Sequence, residues 1–103
     1  MLNQNPFVVF KEEASQVADA FDGLIKAISS TDGLDAKTRQ LIYIGIKASQ
    51  GDVNAVVAHI SMAKAQGAQR DEIRDTILLT LTVSGVQGIA RCLVPALEAY
   101  EKC

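Results

Sequence analysis

Hydrophobic residues recur at helical spacing along most of this chain, and polar or glycine-containing breaks separate the hydrophobic segments. The breaks fall at residues 31–33, at Gly51, at Gly67, at Gly85 and at Gly88. The stretch TLTVSG, which begins at Thr80, is rich in β-branched residues and could form a strand, but its context favours a helix. The pattern therefore predicts five helices with short connections and an all-α fold.

The first predicted helix begins at Asn5 and Pro6, which suit the N-cap and the first helical position. We expect one continuous helix from there through Ile28, before the break at residues 31–33. Its hydrophobic residues share a narrow stripe that we expect to be buried. The stripe comprises Phe10, Ala14, Val17, Phe21, Leu24, Ile25 and Ile28.

The second predicted helix follows Asp35 as N-cap and ends before Gly51. It is apolar around most of its circumference, which predicts a position at the centre of the subunit or in an interface. The apolar residues are Leu41, Ile42, Ile44, Gly45, Ile46 and Ala48. One polar window remains, and it contains Arg39, Gln40, Tyr43 and Lys47.

The third predicted helix begins at Asp52, ends at Gly67 and carries the only histidine of the chain, His59. His59 falls at the margin of the hydrophobic side, so we expect it to face a groove more than the core. That side comprises Val53, Val56, Val57, Ile60 and Ala63.

Two further helices complete the prediction. The fourth begins near residues 70–72, where acidic side chains suit a helix N-terminus, and continues through Ile73 and Ile77. The fifth runs from about Val86 to Glu101 and contains Pro95. Because proline lacks a backbone N–H, we expect the helix to kink or restart there.

Composition narrows the class of protein. The chain has 103 residues, 49% of them hydrophobic. This is one domain by length, and because small domains bury only roughly 60–70% of their unfolded surface, we expect a homo-oligomer. The 12 acidic and 10 basic residues are scattered, which argues against nucleic acid as a partner. The N-terminal sequence lacks signal-peptide features and no apolar stretch approaches the ~20 residues that span a bilayer, so we expect a cytoplasmic protein without a membrane partner.

The two cysteines, Cys92 and Cys103, form no C-x-x-C motif and no cluster with His59. On one helix they would lie ~16 Å apart, too far for a disulfide. We therefore expect two reduced thiols, no metal site within one subunit and no cofactor.

Two stretches of the sequence resemble the carboxymuconolactone decarboxylase and alkylhydroperoxidase D family. They are LDAKTRQLIYIGIKASQG at residues 34–51 and AVVAHISMAKAQGAQRDEI at residues 55–73, and the resemblance covers about residues 34–90. It implies an all-α, five- to six-helix alkylhydroperoxidase D-like bundle, with residues 1–103 as a single domain of this type. It also implies assembly into homo-oligomers, either trimers or hexamers.

The peroxidase branch of that family opens the third helix with C-x-x-C-x-x-x-H. Aligned on His59, its two cysteine positions hold Asp52 and Ala55, and its relay glutamate position holds Gln40. Without a thiolate there is no nucleophile to attack a peroxide. Peroxiredoxin-type activity is therefore not expected, although it stays the third alternative because of the family relationship.

The decarboxylase branch lacks those cysteines and keeps the histidine. The resemblance thus implies a lyase in which His59 exchanges protons with a small carboxylate or lactone. The candidate substrate-binding residues are Arg39, Gln40, Tyr43, Lys47 and Asp52. The branch's Y-x-G-x-P stretch is not matched at residues 82–88, where only Gly85 corresponds, so the substrate stays open.

Structural interpretations of the same residues stay open at this point. Asp52 suits an N-cap, and the polar window of the second helix could be a solvated face. His59 could simply bond to a backbone carbonyl or to a neighbouring subunit. The alternative function is therefore a non-catalytic ligand-binding or interaction module on the same fold.

Overall fold

The structure is a computed structural model that describes residues 5–103. All regular secondary structure in this range is helical, which confirms the predicted all-α class. The chain forms two compact units, divided between Gly33 and Leu34. The helices are α1 Pro6–Glu13, α2 Ser15–Ser29, α3 Ala36–Ser49, α4 Val53–Ala65, α5 Arg70–Leu79, α6 Leu81–Ser84, a π-helical segment Ile89–Leu93 and α7 Val94–Lys102.

The first unit contains α1 and α2. Asn5 caps α1 as predicted, because its Oδ1 accepts a hydrogen bond from the Phe7 N–H at 2.9 Å. The prediction of one continuous helix is wrong. Ala14 adopts φ −147° and ψ 64°, which ends α1 and lets α2 start in a new direction. The Phe10 and Phe21 rings then meet edge to face, with centroids 6.1 Å apart.

The predicted burial of the hydrophobic stripe is also wrong for a single chain. In α2 only Ala18 is buried. The large side chains of the stripe that lie on α2 are 41–61% exposed. We call them the α2 stripe: Val17, Phe21, Leu24, Ile25 and Ile28.

The second unit begins with α3 and α4, two neighbouring helices joined by a tight turn. Asp35 and Asp52 are their N-caps, as predicted, and their carboxylates accept hydrogen bonds from the Thr38 N–H at 2.8 Å and the Ala55 N–H at 3.1 Å. The turn requires Gly51, which has φ +70°. These local signals hold the two helices in the register that positions the polar window of α3.

The core of the second unit is built by α3, α4, α5, the π-helical segment and α7. Its fully buried large side chains are Ile44, Val56, Ile60, Ile73, Ile77 and Cys92. Ile42 and Ile46 are 44% and 53% exposed, so for these two residues burial in an interface stays the prediction. The predicted core position of Val57 is wrong, since it is 37% exposed. Thus α3 is central on one side only.

The last helices follow the predicted breaks at Gly67 and Gly85, but Gly88 has helical backbone angles of φ −63° and ψ −41°, so the break predicted there is wrong. The Glu72 carboxylate accepts the Gln69 N–H at 2.8 Å and pairs with Lys37 at 3.1 Å, which anchors the start of α5 against α3. The TLTVSG stretch contains helix α6, as preferred. Pro95 lies in the first turn of α7, directly after the π-helical segment, so the predicted restart is confirmed.

Between residues 5 and 103, no helix is both long enough and apolar enough to cross a membrane. The organisation of residues 1–103 as a single domain stays a prediction beside the two compact units.

Candidate functional site

The candidate site lies where the polar window of α3 faces α4. The Nδ1 atom of His59 on α4 is 2.9 Å from the Oε1 atom of Gln40 on α3. A side-chain amide oxygen can only accept a hydrogen bond, so His59 must donate from Nδ1. This contact fixes the neutral tautomer, in which Nε2 carries the lone pair.

Tyr43 forms one wall of the site. Its ring stacks on the His59 imidazole, with centroids 3.7 Å apart and an interplanar angle of 25°. Tyr43 follows Gln40 by three positions on α3, so both reach the same side of that helix. Together they hold the imidazole in one orientation, by a hydrogen bond in the ring plane and a contact on the ring face.

A cation lies beside the two rings. The Lys47 ammonium is 6.0 Å from the centre of the Tyr43 ring and 3.8 Å from the Oδ2 atom of Asp52. Both partners of this ion pair are partly exposed, so the contact contributes little to stability and leaves Lys47 available to an anion. Asp52 also caps α4, which confirms the structural interpretation of that residue.

Burial is the main cause that lowers the pKa of His59 below its ordinary value of 6.5, and the positive charge of Lys47 lowers this pKa further. The imidazole is therefore neutral at pH 7. The Nε2 atom has no hydrogen-bond partner among residues 5–103, and no side-chain N or O atom described there is both buried and unpaired. Hence Nε2 is open to solvent.

The structure thus brings together five of the six candidate residues through contacts: His59, Gln40, Tyr43, Lys47 and Asp52. These contacts do not include Arg39, which lies half-buried at the start of α3. Gln40 was predicted to bind substrate. In the structure its amide oxygen bonds to His59 and so determines that Nδ1, and not Nε2, carries the proton. The stack of Tyr43 on His59 was not predicted, and no feature of the sequence indicates ring contact across two helices.

Neither cysteine of the chain can replace the two cysteines of the peroxidase branch. Cys92 is fully buried in the π-helical segment, whereas Cys103 is exposed at the end of the chain, and both are free. Burial raises the pKa of the Cys92 thiol, and the charge of Asp52 raises it further, so Cys92 is held protonated. A protonated thiol in the core is a poor nucleophile.

Within residues 5–103, no three histidine, cysteine, aspartate or glutamate side chains cluster in a way that could hold a metal ion. The groups that the described site presents are the oriented imidazole of His59 and the Lys47 ammonium beside it.

Replacing Gln40 with glutamate is expected to raise the pKa of His59 by about one pH unit or more, because a carboxylate at Oε1 stabilises the imidazolium. A titration of the His59 Hε1 resonance by NMR measures this. Gln66→Glu, the same change at the end of α4, is the control and should leave the midpoint in place. Equal midpoints for Gln40→Glu and wild type would show that Gln40 does not bond to the ring in solution.

A small all-helical protein with a histidine held between two helices is the class that this fold and site define. The sequence profile of the carboxymuconolactone decarboxylase family matches residues 15–98. The chain belongs to that family. An uncharacterized protein of Methanocaldococcus jannaschii is 31% identical over 86 residues, which are 82% of this chain and 83% of that protein.

Two crystal structures share the fold. One is the apo form of a carboxymuconolactone decarboxylase family protein from Legionella pneumophila, with TM-score 0.80 and 23% identity over 92% of this chain and 84% of that one. The other is a candidate carboxymuconolactone decarboxylase from Burkholderia xenovorans, with TM-score 0.84 and 22% identity over 97% of this chain and 78% of that one. At these identities the likeness concerns the fold, which agrees with the predicted alkylhydroperoxidase D-like bundle.

Proposed function

We propose that this protein is a lyase-type enzyme that moves a proton on a small carboxylate or lactone, with His59 as the acid/base group. The observation that carries the proposal is the 2.9 Å contact between His59 Nδ1 and Gln40 Oε1, which leaves Nε2 as an oriented base. Family membership supports the same direction of chemistry.

In the proposed reaction, Nε2 of His59 takes a proton from an acidic C–H or O–H group of the substrate. The imidazolium then returns this proton to the dienolate at another carbon, so that the double bond moves. When an ionised carboxylate instead leaves as carbon dioxide, the electron pair of the broken C–C bond remains as a dienolate, and His59 protonated from solvent supplies its proton. Gln40 keeps its bond to Nδ1–H in both states, so the ring stays oriented while it changes charge. The stacked Tyr43 ring prevents the imidazole from turning.

Lys47 is the proposed anchor for the substrate carboxylate. Its present partner, Asp52, is 3.8 Å away and partly exposed, so a substrate anion can replace that contact at little cost. Asp52 keeps its bond to the Ala55 N–H and so remains a cap of α4. Arg39 stays a proposed secondary contact at the beginning of α3.

The sign of the pH dependence follows from the lowered pKa of His59. The base must be neutral to accept a proton, so activity should be constant around pH 7 and fall as the pH drops below 6.5 through the lowered pKa. A bound substrate anion near the ring would shift this fall upward, because it favours the imidazolium.

The second candidate function is a ligand-binding module without catalysis. It requires the Lys47 ammonium as an anchor for an anion but no proton transfer at His59. Cysteine-dependent peroxidase activity has no support in the site, since Asp52 and Ala55 stand at the cysteine positions and Cys92 is buried.

We expect the protein to act in the cytoplasm, as the sequence predicts.

The test is a thermal-shift screen with small dicarboxylates, keto acids and lactone carboxylates, followed by ¹H NMR of each binding compound in D₂O. A ligand at 100 times its Kd stabilises the fold by about 2.7 kcal/mol. We expect a compound that stabilises wild type and that wild type also deuterates or decarboxylates. His59→Gln should slow that reaction about 10²- to 10⁴-fold, since it removes the general base.

Lys47→Met is the matched comparison, and it should raise KM with a smaller effect on kcat because it removes a binding charge. Binding without deuteration or turnover by wild type would favour the binding module. A screen in which no compound shifts the unfolding temperature would contradict the proposed enzyme.

A further inference from the structure

A second recessed surface lies on the face of α3 that points away from His59. It is a cavity of about 410 Å³ between α3, α5 and α6. We call it the α3–α5 groove. Its lining residues are Thr38, Leu41, Ile42, Gly45, Ile46, Ser49, Thr76, Leu79, Thr80 and Val83. None of them carries a charge, and none belongs to the His59 site.

The hydroxyl groups in the groove need no polar ligand, because they are already hydrogen-bonded within the chain. Ser49, Thr76 and Thr80 donate to the carbonyls of Ile46, Glu72 and Ile77 in their own helices, at 2.6, 2.7 and 2.6 Å. The Thr38 hydroxyl bonds to the Asp35 carboxylate, so all four hydroxyl donors that line the groove are already used. What the groove presents to a partner is methyl and methylene groups, so its occupant must be apolar.

The apolar side chains around the groove are strongly exposed in the single chain. Ile42, Ile46, Leu79 and Val83 are 44%, 53%, 68% and 77% exposed. The Cβ position of Gly45 lies 3.3 Å from Thr76 Cγ2, so α3 and α5 approach closely there and no side chain fills the floor. The result is a depression between two helices with aliphatic rims, the shape that accepts a helix.

The same chain carries an exposed apolar ridge of matching size, the α2 stripe. From Val17 to Ile28 the stripe is ~16 Å long at 1.5 Å per residue, and the groove along α3 from Thr38 to Ser49 has the same length. Its members recur at helix-in-groove spacing, on one side of α2. Both surfaces are apolar and exposed in the single chain, so burying either of them against another apolar surface would be favourable.

We propose that the α2 stripe of one copy docks in the α3–α5 groove of a second copy, and that the exchange is reciprocal. Five side chains of the stripe and four of the groove are each about half exposed or more. At roughly 90 Å² each, they offer about 800 Å² per chain, which is what one partner contributes to a standard interface. The contact leaves the His59 face of α3 open, so it is independent of the proposed reaction.

The test uses one charge on each surface. Leu24→Lys changes the stripe and Ile46→Glu changes the groove, both at positions that are 53% exposed, so each chain should still fold. Sedimentation velocity measures the mass, and circular dichroism checks the helix content. Wild type should form an assembly of at least two 11.0 kDa chains, and either variant should at least halve that mass.

Mixing the two variants in equal amounts distinguishes a second copy from other occupants. In a mixed pair, one contact brings the lysine introduced into the stripe against the glutamate introduced into the groove, and the other contact is wild type. The mixture should therefore recover the wild-type mass. Val94→Lys on α7, 62% exposed and outside both surfaces, is the control and should keep the wild-type mass.

Three results would overturn the proposal: a monomeric wild type, variants that keep the wild-type mass, or a mixture that does not recover it. The last result would indicate that α2 docks in the groove of its own chain or that the groove binds another molecule.

Discussion

Replacing Ile60 with alanine is expected to lower the free energy of unfolding by about 2–5 kcal/mol, since the lost methylene groups leave a cavity that the core cannot fully close. Ile60 is fully buried on α4, within the cluster that joins α4 to α3, α5 and α7. For a domain of this size a loss of 1 kcal/mol lowers Tm by roughly 4–8 °C. Thermal and urea unfolding of the variant measure the loss.

Met62→Ala is the control for Ile60→Ala. Met62 lies two positions further along α4 and is 47% exposed, so its truncation should cost much less. Equal losses at both positions would mean that α4 does not bury the side that packs into the core in the structure.

Replacing Gly88 with alanine is the second change with a large expected effect. A Cβ atom at Gly88 would lie 2.5 Å from Thr80 Oγ1 and 3.0 Å from the backbone oxygen of Ala48. Thr80 is buried and its hydroxyl donates to the Ile77 carbonyl, so it cannot move away freely. We expect a loss of about 1–3 kcal/mol in unfolding free energy, as for other overpacked cores.

A double-mutant cycle tests the cause. In a Thr80→Ala background the closest clash is absent, so Gly88→Ala should cost less than in wild type. Gly23→Ala in α2 is the control, because a Cβ there meets nothing within 4 Å, and the change should be neutral or stabilising. An equal cost of Gly88→Ala in both backgrounds would contradict the proposed contact with Thr80.

The local signals in the sequence predicted the helix starts well. Asn5, Asp35 and Asp52 all cap helices through bonds to the following backbone, which requires only neighbours in sequence. Pro95 marked the restart of the last helix for the same reason. The break at Ala14 was missed because alanine favours helix and the apolar stripe continues through it, so only packing between α1 and α2 reveals the break.

Hydrophobic periodicity showed which side of a helix is apolar but not what covers it. The α2 stripe and Ile42 and Ile46 were expected to be buried, and they are exposed in one chain. A cover that comes from another molecule leaves no mark in the spacing of residues within the helix. The homo-oligomer predicted from composition is one answer, and the proposed exchange of α2 gives it an interface.

Only part of the candidate site could be predicted from the sequence. The polar window of α3 and the marginal position of His59 follow from helical geometry. The family alignment placed Gln40 at the position of a relay group, and the structure gives it a 2.9 Å bond to His59. The stack of Tyr43 on His59 depends on the packing of α3 against α4, which no local pattern encodes.

The central claim is that His59 is a neutral base with its proton on Nδ1. Long-range ¹H–¹⁵N NMR of the imidazole, recorded at pH 7 and through an acid titration, tests it most directly. The account predicts the Nδ1–H tautomer and a pKa below 6.5. A proton on Nε2, or a pKa above 6.5, would contradict it.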